Sequence, residues 1–243
     1  MKVFIESDYA GMSQKAFHDA MAALERNPAP LISPASGASP AGLYKLLVKE
    51  KPNTTGWHFI GLDEWVGMNG SDEGSCRWHL NRELFNPLGI KDDHICFFDG
   101  RAEHLIEECL ATERFIEHNG GIDLAVIGLG MNGHAGMNEP GVDPLLHSHI
   151  VELHAQTIAS AQKYFTSFTP LEKGISLGIA NLMEAKSVFL LVSGKEKAAI
   201  VKQVLEGEIS AAVPASLLRT HNNFSVYLDK DAASLLQKNV YAE

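Results

Sequence analysis

The sequence predicts an α/β protein in which a largely parallel central sheet is flanked by helices. The first reason is that strand-length apolar runs alternate with amphipathic helical segments along almost the whole chain. The second is that Leu124–Ile127 is apolar at every position, which is typical of a strand buried on both faces. The chain has 243 residues, of which 45% are hydrophobic, and no internal repeat or low-complexity linker divides it. We therefore expect one domain over residues 1–243.

Helices are predicted where apolar residues recur every three or four positions, as Phe17, Met21 and Leu24 do. Prolines near a helical segment mark its start or its end. The predicted helices cover residues 11–26, 40–49, 74–84, 101–118, 157–166, 195–205 and 230–238, with a small helix or turn over 174–185.

Strands are predicted from short apolar runs that are bounded by turn residues. They cover residues 30–32, 57–62, 94–98, 124–127, 187–192 and 224–228, and residues 148–153 are predicted as an edge strand. Most of these strands are separated by a helix, as parallel pairing requires.

Charge and hydropathy exclude several kinds of partner. The formal net charge is −10 and no basic patch stands out, which argues against nucleic acid. No apolar run approaches the ~18 residues of a membrane span. No leader peptide follows Met1 either. We therefore expect a cytoplasmic protein without a membrane partner. A small anionic substrate remains compatible, because two or three local lysines set the potential of a site over a Debye length of about 10 Å.

The cysteines and a group of histidines raise the question of metal binding. Cys76, Cys96 and Cys109 are odd in number and widely spaced, which argues for buried thiols rather than a disulfide framework or a zinc site. His147 and His149 would share one face of a strand, but no third ligand is evident and a solvated face is the better interpretation. We therefore expect no metal.

The glycine-rich loop after residue 127 also matches a dinucleotide-binding pattern. Gly128, Gly130 and Gly133 have the G-x-G-x-x-G spacing, and Glu152 lies at a suitable distance for a ribose. That motif needs a helix to begin on the glycines. The prolines and further glycines that follow, beginning with Pro140, leave no room for one. We therefore expect no dinucleotide cofactor.

Four loops that follow predicted strands carry the candidate functional groups, because ligands of open α/β sheets bind at the carboxyl ends of the strands. Each also has a simpler explanation: helix capping, an acidic surface turn, a structural histidine, or surface lysines. The candidates are the hydroxyls and amides of Ser36, Gly37, Ala38 and Ser39, the acids Asp63 and Glu64, the pair His134 and Glu139, and the lysines Lys195 and Lys197.

Taken together, these loops make the sequence resemble the glucosamine-6-phosphate deaminase/isomerase family, and within it most closely the galactosamine-6-phosphate isomerase branch. The resemblance covers essentially the whole chain in order. The matching pieces are residues 36–40 (SGASP), 62–65 (LDEW), 128–140 (GLGMNGHAGMNEP), 174–178 (GISLG), 191–197 (LVSGKEK) and 213–221 (VPASLLRTH). The link to the galactosamine branch depends on Asp63-Glu64-Trp65 and on Pro214-Ala215-Ser216.

The resemblance implies a Rossmann-like α/β sandwich and a reaction without a cofactor. A 2-amino-2-deoxyhexose 6-phosphate would be converted to ketohexose 6-phosphate and ammonia. His134, supported by Glu139, would open the sugar ring, and Asp63 would move a proton from C2 to C1. The phosphate would be held by the loop Ser36, Gly37, Ala38 and Ser39 and by the cations Lys163 and Lys197.

The sequence departs from better-known members of the family at three places. Asn132 stands where many members have an aspartate, which puts a triad with that acid in doubt. Lys163 replaces a phosphate-binding arginine and loses its bidentate geometry. His149 and Val151 replace a basic allosteric cluster. We therefore expect no activation by an N-acetylated sugar phosphate, and a monomer or small homo-oligomer.

Two other functions share part of this pattern. A 6-phosphogluconolactonase would share the fold and the Gly-His turn, but it would lack the carboxylate of Glu139. A non-catalytic sugar-phosphate-binding module of a regulator would carry a DNA-binding segment ahead of the domain, and the first phosphate-type loop here begins by Ser36. Release of ammonia would distinguish the enzyme from such a module.

Overall fold

The computed structural model describes residues 1–237, and it contains two sheets. The larger sheet has seven parallel strands in the order β1-β10-β9-β6-β2-β3-β5, and the smaller is an antiparallel sheet in the order β4-β8-β7. The strands are β1 (Lys2–Glu6), β2 (Leu31–Pro34), β3 (His58–Ile60), β4 (Asp63–Trp65), β5 (Ile95–Cys96), β6 (Leu124–Ile127), β7 (His149–Glu152), β8 (Lys173–Ser176), β9 (Val188–Val192) and β10 (Phe224–Asp229).

Helices connect these strands and cover both faces of the larger sheet. The helices are α1 (Tyr9–Leu24), α2 (Ala38–Glu50), α3 (Cys76–Leu80), α4 (Asn86–Leu88), α5 (Leu105–His118), α6 (Ala155–Ala161), α7 (Ile179–Glu184), α8 (Ala198–Glu206) and α9 (Pro214–Leu217). The α/β class with a largely parallel sheet is confirmed.

The core lies on both sides of the parallel sheet, which explains why its central strands are apolar at successive positions. In β6, Ala125 and Ile127 pack into one buried cluster, whereas Leu124 and Val126 pack into the other on the opposite face. The second cluster is covered by α1 and α2, and the first by helices that include α5 and α8. Because side chains alternate between the faces of a strand, a strand covered on both faces needs an apolar residue at every position.

Three strands were not predicted, and two of them build the small sheet. In β4, Asp63 pairs with Ser176 of β8, and Ile175 of β8 pairs with Ile150 of β7. Residues 173–176 were predicted as part of a helix or turn, and that prediction is wrong for them; the helical part is α7. β7 was predicted as an edge strand, which is confirmed. These short strands are stabilised by partners distant in the sequence, so their local pattern is weak.

Two predicted helices differ from the structure. The closing helix over residues 230–238 is wrong for residues 230–237, which form turns, and Lys238 lies outside the described residues. The amide of Ala232 donates to the Asp229 side chain, as at a helix start, but the chain then continues in turns. The helix predicted over 74–84 is α3 followed by a π-helical turn over Asn81–Phe85, which leads into α4.

No helix within residues 1–237 combines the length and the apolar character that crossing a membrane requires.

Candidate active site

The predicted functional loops meet at one cavity of about 350 Å³, a size common for small-molecule sites. It lies at the carboxyl ends of β2, β3, β6 and β9, between the parallel sheet and the small sheet. The predicted residues that line it are Ser36, Gly37, Ala38, Ser39, Asp63, His134, Lys163 and Lys197. The cavity therefore brings together the four loops that the sequence singled out.

The larger cavity in the described residues holds none of the predicted residues. It has a volume of about 740 Å³ and lies at the amino ends of β1, β9 and β10. Its two acids are already paired, Asp19 with Lys15 at 2.8 Å and Asp123 with Lys186 at 2.7 Å. Neither acid is therefore free to act in catalysis, and the smaller cavity, which holds the predicted groups, is the candidate active site.

His134 is held in place through one ring nitrogen. Its Nδ1 lies 3.2 Å from the hydroxyl of Thr157 and 3.6 Å from Oε2 of Glu139. The ring also packs so closely on Gly130 that a side chain at that position would collide with it. Nε2 makes no hydrogen bond within residues 1–237, so this nitrogen is available to a ligand in the cavity.

Glu139 does not line the cavity but lies behind His134, only 6% exposed. Its carboxylate accepts hydrogen bonds from Nδ2 of Asn132 at 2.7 Å and from the backbone amide of His154 at 3.2 Å. Burial opposes its ionisation, but the hydrogen bonds from neighbouring side chains, His134 above all, outweigh burial and lower the pKa of Glu139 to about 2. Glu139 is therefore a fixed negative charge beside the imidazole.

The side chain of Asn132 serves the loop rather than the cavity. Its Nδ2 donates to Glu139, and its Oδ1 accepts a hydrogen bond from the backbone amide of His134 at 3.2 Å. The amide therefore connects the acid and the backbone of the histidine. An aspartate here would meet the carboxylate of Glu139 without a proton to donate. An asparagine is thus consistent with an intact site.

Asp63 and Glu64 were predicted as two adjacent candidate bases, and the structure separates them. Asp63 lines the cavity, whereas Glu64 points away from it and is fully buried. Burial raises the pKa of Asp63 to about 6, although contacts with Cys76 and His134 act in the opposite direction. A carboxylate with a pKa near neutrality is suited to accept a proton from carbon and return it.

The loop that opens α2 is suited to an anion. Gly37 is the cap residue, with φ 148°, and no side chain caps this helix. The simpler explanation, that the hydroxyls of Ser36 and Ser39 cap the helix, is therefore not supported. A helix start with uncapped amides attracts a phosphate or carboxylate.

Two lysines reach the same cavity from other elements. Lys197 lies in a 3₁₀ turn before α8, and Lys163 lies in a 3₁₀ turn after α6. Burial, with Lys163 adding to it, lowers the pKa of Lys197 to about 8. An anion between the two ammonium groups would remove their repulsion. Lys195, the other lysine of that loop, does not line the cavity.

The histidines considered for zinc have other partners. His147 Nε2 lies 3.0 Å from Glu184, and His149 Nδ1 contacts the carbonyl of His147 at 2.9 Å. His154 caps α6 by accepting a hydrogen bond from the amide of Gln156. Within the described part of the chain, no three histidine, cysteine, aspartate or glutamate side chains are grouped as metal ligands.

Sequence reasoning missed two residues of this site, Thr157 and Cys76. Thr157 is 6% exposed and holds His134, yet it belongs to α6, which follows the small sheet. Cys76 was interpreted only as a buried thiol, and it lines the cavity beside Asp63. Neither carries a local signal, because each reaches the cavity only through the packing of a helix.

The fold and this cavity define an α/β protein with a proton-transfer group and an anion-binding helix start at one sheet edge. Comparison with known proteins gives the family. Residues 9–227 match the model of the family described as glucosamine-6-phosphate isomerases/6-phosphogluconolactonase. The chain therefore belongs to this family.

Curated relatives and solved structures agree with that assignment. The chain is 35% identical to a glucosamine-6-phosphate deaminase of Clostridium perfringens, over 98% of this chain and 100% of the relative. It is also 35% identical to one of a Geobacillus species over the full length of both. The solved structure of a monomeric glucosamine-6-phosphate deaminase superposes with a TM-score of 0.92 at 32% identity, over 97% of this chain and 100% of that one.

Solved 6-phosphogluconolactonases share the fold at lower identity. The enzyme of Trypanosoma brucei superposes with a TM-score of 0.77 at 20% identity, over 97% of this chain and 98% of its own. At that identity the likeness concerns the fold alone.

Proposed function

We propose that this protein isomerises and deaminates a 2-amino-2-deoxyhexose 6-phosphate, with ketohexose 6-phosphate and ammonia as the products. The observation that carries the proposal is the placement of Asp63 and His134 on one cavity, which is also lined by the start of α2 and by two lysines from other elements. The relatives named as glucosamine-6-phosphate deaminases support the same reaction.

The proposed reaction begins with opening of the sugar ring. Nε2 of His134 takes the proton of the anomeric hydroxyl while the C1–O5 bond breaks, and the imidazolium returns that proton to O5, which completes the open aldose. The carboxylate of Glu139 behind Nδ1 stabilises the imidazolium that forms.

Asp63 then carries the isomerisation. Its carboxylate removes the proton from C2 while the C2 ammonium group of the substrate gives a proton to O1, which leaves an enolamine across C1 and C2. Return of the proton to C1 leaves a ketimine at C2, and water adds to it and releases ammonia. One carboxylate performs both transfers, because the two carbons are adjacent and the acid that forms is the donor for the second step.

The phosphate is proposed to lie on the loop Ser36, Gly37, Ala38 and Ser39, between Lys163 and Lys197. The lysines provide charge without bidentate geometry. The hydroxyls of the loop and the backbone amides at the start of α2 orient the phosphate by hydrogen bonds. Because the phosphate takes no part in the chemistry, these groups act mainly on substrate binding.

The configuration of the substrate at C4 is the finer part of the proposal. Of the two motif pieces that resemble the galactosamine branch, one contributes Trp65 to the cavity lining, and the other contacts the loop after β6 through the amide of Ala215, which donates to the carbonyl of Gly133 at 2.9 Å. The resemblance of these two pieces to the galactosamine branch is the ground for proposing galactosamine 6-phosphate as a substrate beside glucosamine 6-phosphate.

The experiment is an assay of both amino sugar phosphates for ammonia and for ketohexose 6-phosphate. Both products in equal amounts are expected. Binding of the sugar phosphate without products would identify a non-catalytic module, and hydrolysis of a 6-phosphogluconolactone alone would identify a lactonase. Size-exclusion chromatography tests the proposed monomer or small homo-oligomer, and addition of an N-acetylated sugar phosphate is expected to leave the rate unchanged.

A further inference from the structure

The imidazole of His134 is hydrogen-bonded to a threonine of α6 and not directly to Glu139. Nδ1 of His134 lies 3.2 Å from Oγ1 of Thr157 but 3.6 Å from Oε2 of Glu139. The longer distance is outside the range of a hydrogen bond, so within residues 1–237 the hydroxyl is the direct partner of this nitrogen. Thr157 is 6% exposed and lines the cavity, and the proposed reaction gives it no role.

A hydroxyl can donate to Nδ1 or accept from it, and the two arrangements give His134 opposite tautomers. If Thr157 donates, Nδ1 is unprotonated and the proton lies on Nε2, so the nitrogen that faces the cavity cannot act as a base. If Thr157 accepts, the proton lies on Nδ1 and Nε2 keeps its lone pair for the substrate. The direction of this one hydrogen bond therefore decides whether the ring is ready for the proposed reaction.

The neighbours of Thr157 favour the second arrangement. The carboxylate of Glu139 attracts a proton on Nδ1 and repels a lone pair there, because its Oε2 lies 3.6 Å away and its pKa is lowered to about 2. Nδ2 of Asn132, which can only donate, lies 3.5 Å from the Thr157 hydroxyl oxygen. One lone pair of that oxygen faces Asn132, and the other is left for Nδ1–H.

The start of α6 holds Thr157 in this place. The backbone amide of His154, the cap residue of α6, donates to Oε1 of Glu139 at 3.2 Å. The amide of Thr157 in turn donates to the carbonyl of His154 at 2.9 Å. A threonine is β-branched and has few side-chain rotamers, so the backbone position also directs the hydroxyl. The carboxylate of Glu139 therefore anchors the turn from which the hydroxyl reaches the imidazole.

We propose that Thr157 is a positioning residue for His134: its hydroxyl accepts a hydrogen bond from Nδ1–H and so keeps an unprotonated Nε2 towards the cavity, while Glu139 acts on the ring by its charge. The proposal rests on the proposed function, in which Nε2 takes the proton of the anomeric hydroxyl. Replacing the hydroxyl by a methyl group should leave the ring in the cavity but increase the share of the other tautomer, whose Nε2–H cannot take that proton.

The test compares Thr157→Val and Thr157→Ser with a matched control, Thr112→Val. Thr112 is also buried, 2% exposed, but it lies in α5 and does not line the cavity. Nitrogen NMR of the neutral histidine rings, recorded without substrate, reports the tautomer. We expect the proton on Nδ1 of His134 in the wild type, in Thr157→Ser and in the control, and a smaller Nδ1–H fraction in Thr157→Val. The valine variant should lose about 10- to 100-fold in kcat, whereas the serine variant should lose no more than about threefold.

Phosphate binding separates this role from a loss of structure in α6. Lys163 lies in the turn that follows α6, so the rise in melting temperature with inorganic phosphate should be the same in Thr157→Val as in the wild type. If Thr157→Val changes the tautomer but the wild type releases no ammonia, the proposed function alone is contradicted. A wild-type ring with its proton on Nε2, an unchanged tautomer in Thr157→Val, or a tautomer in Thr157→Ser like that of the valine variant would overturn the role of Thr157.

Discussion

His134 and Asp63 owe their proposed roles to what surrounds them. One ring nitrogen of His134 is held by Thr157 and faces Glu139, which leaves Nε2 for a substrate. Burial raises the pKa of both acids, of Asp63 to about 6 and of Glu64 to about 7, but Asp63 lines the cavity, whereas the carboxylate of Glu64 is turned into the core and held there by backbone amides. Two carboxylates that are neighbours in the sequence therefore have different uses.

Asp63→Asn tests the base directly. An amide has nearly the shape of the carboxylate but does not accept the C2 proton, so turnover should be abolished while the substrate still binds. Ammonia release and calorimetric titration with the substrate measure the two effects. Weak binding with normal turnover would contradict the assignment of Asp63 as the base.

The pH dependence of the wild type follows from the raised pKa of Asp63. The base must be ionised, so kcat/KM should be constant between pH about 6 and about 8, where Lys197 is still charged, and fall roughly tenfold per unit below pH 6. Glu139 does not add a limb in this range, because its pKa is lowered to about 2. Initial rates between pH 5 and 8 measure the profile, and a flat profile through pH 6 would count against Asp63.

Asn132→Asp tests the residue at which this chain departs from many relatives. The new carboxylate would lie against that of Glu139, where Asn132 Nδ2 now donates at 2.7 Å. We expect the free energy of unfolding to fall by about 1–3 kcal/mol at pH 7. The loss should shrink as the pH falls towards 4, where one of the two carboxylates gains a proton. Urea unfolding at both pH values measures it. Asn53→Asp, an exposed turn position, serves as control, and equal losses in both variants would contradict the argument.

At the scale of elements, the site depends on how loops and short helices are fixed to the sheet edge. The loop after β6 turns at Gly133 and Gly136, with φ of 85° and 62°, and contains no helix. The prediction that its glycines do not start a dinucleotide-binding helix agrees with this backbone. Asp63 lies on β4, an edge strand of the small sheet, where it pairs with Ser176 of β8 beside the same loop.

Gly130→Ala tests the close packing of that loop on the imidazole of His134. The added methyl group would collide with the ring of His134 and turn it away, so kcat should fall by about a hundredfold. The matched change is Gly128→Ala, whose methyl group would meet no atom within 4 Å. NMR of the histidine rings should show His134 displaced in the first variant only. An unchanged His134 signal in Gly130→Ala would refute the packing argument.

At the scale of the whole molecule, the cavity is built from distant parts of the chain. The start of α2, the end of β3, the loop after β6 and the turn before α8 contribute one wall each. A ligand that contacts several of them binds only the folded chain. It should therefore stabilise the entire protein by mass action.

Inorganic phosphate is the simplest ligand for that test. It should raise the melting temperature of the wild type, by an amount that corresponds to about 2.7 kcal/mol at a hundred times Kd. In the Lys197→Ala variant, phosphate should raise the melting temperature much less than in the wild type. The substitution should mainly increase KM. Because the pKa of Lys197 is lowered to about 8, the rise should also decrease as the pH increases above 8. Lys195→Ala is the control, and a selective loss of kcat in Lys197→Ala would argue against a phosphate-binding role.

Much of this protein was predictable from the sequence. Continuous apolar runs such as Leu124–Ile127 require cover on both faces, which determines a parallel sheet between helices. Glycine, histidine and acid residues placed after those runs have to appear at the carboxyl edge. The grouping of Ser36, Asp63, His134 and Lys197 around one cavity follows from this rule and is what the structure shows.

Only the tertiary structure decided the rest. It placed Asp63 in the cavity and Glu64 in the core, brought Thr157 to His134 and Cys76 to Asp63, and built the second sheet. These contacts join segments that are distant in the sequence. They depend on how the elements pack, which local propensity does not predict. Periodicity determines which face of an element is buried, whereas the choice of neighbour is made when the elements pack together.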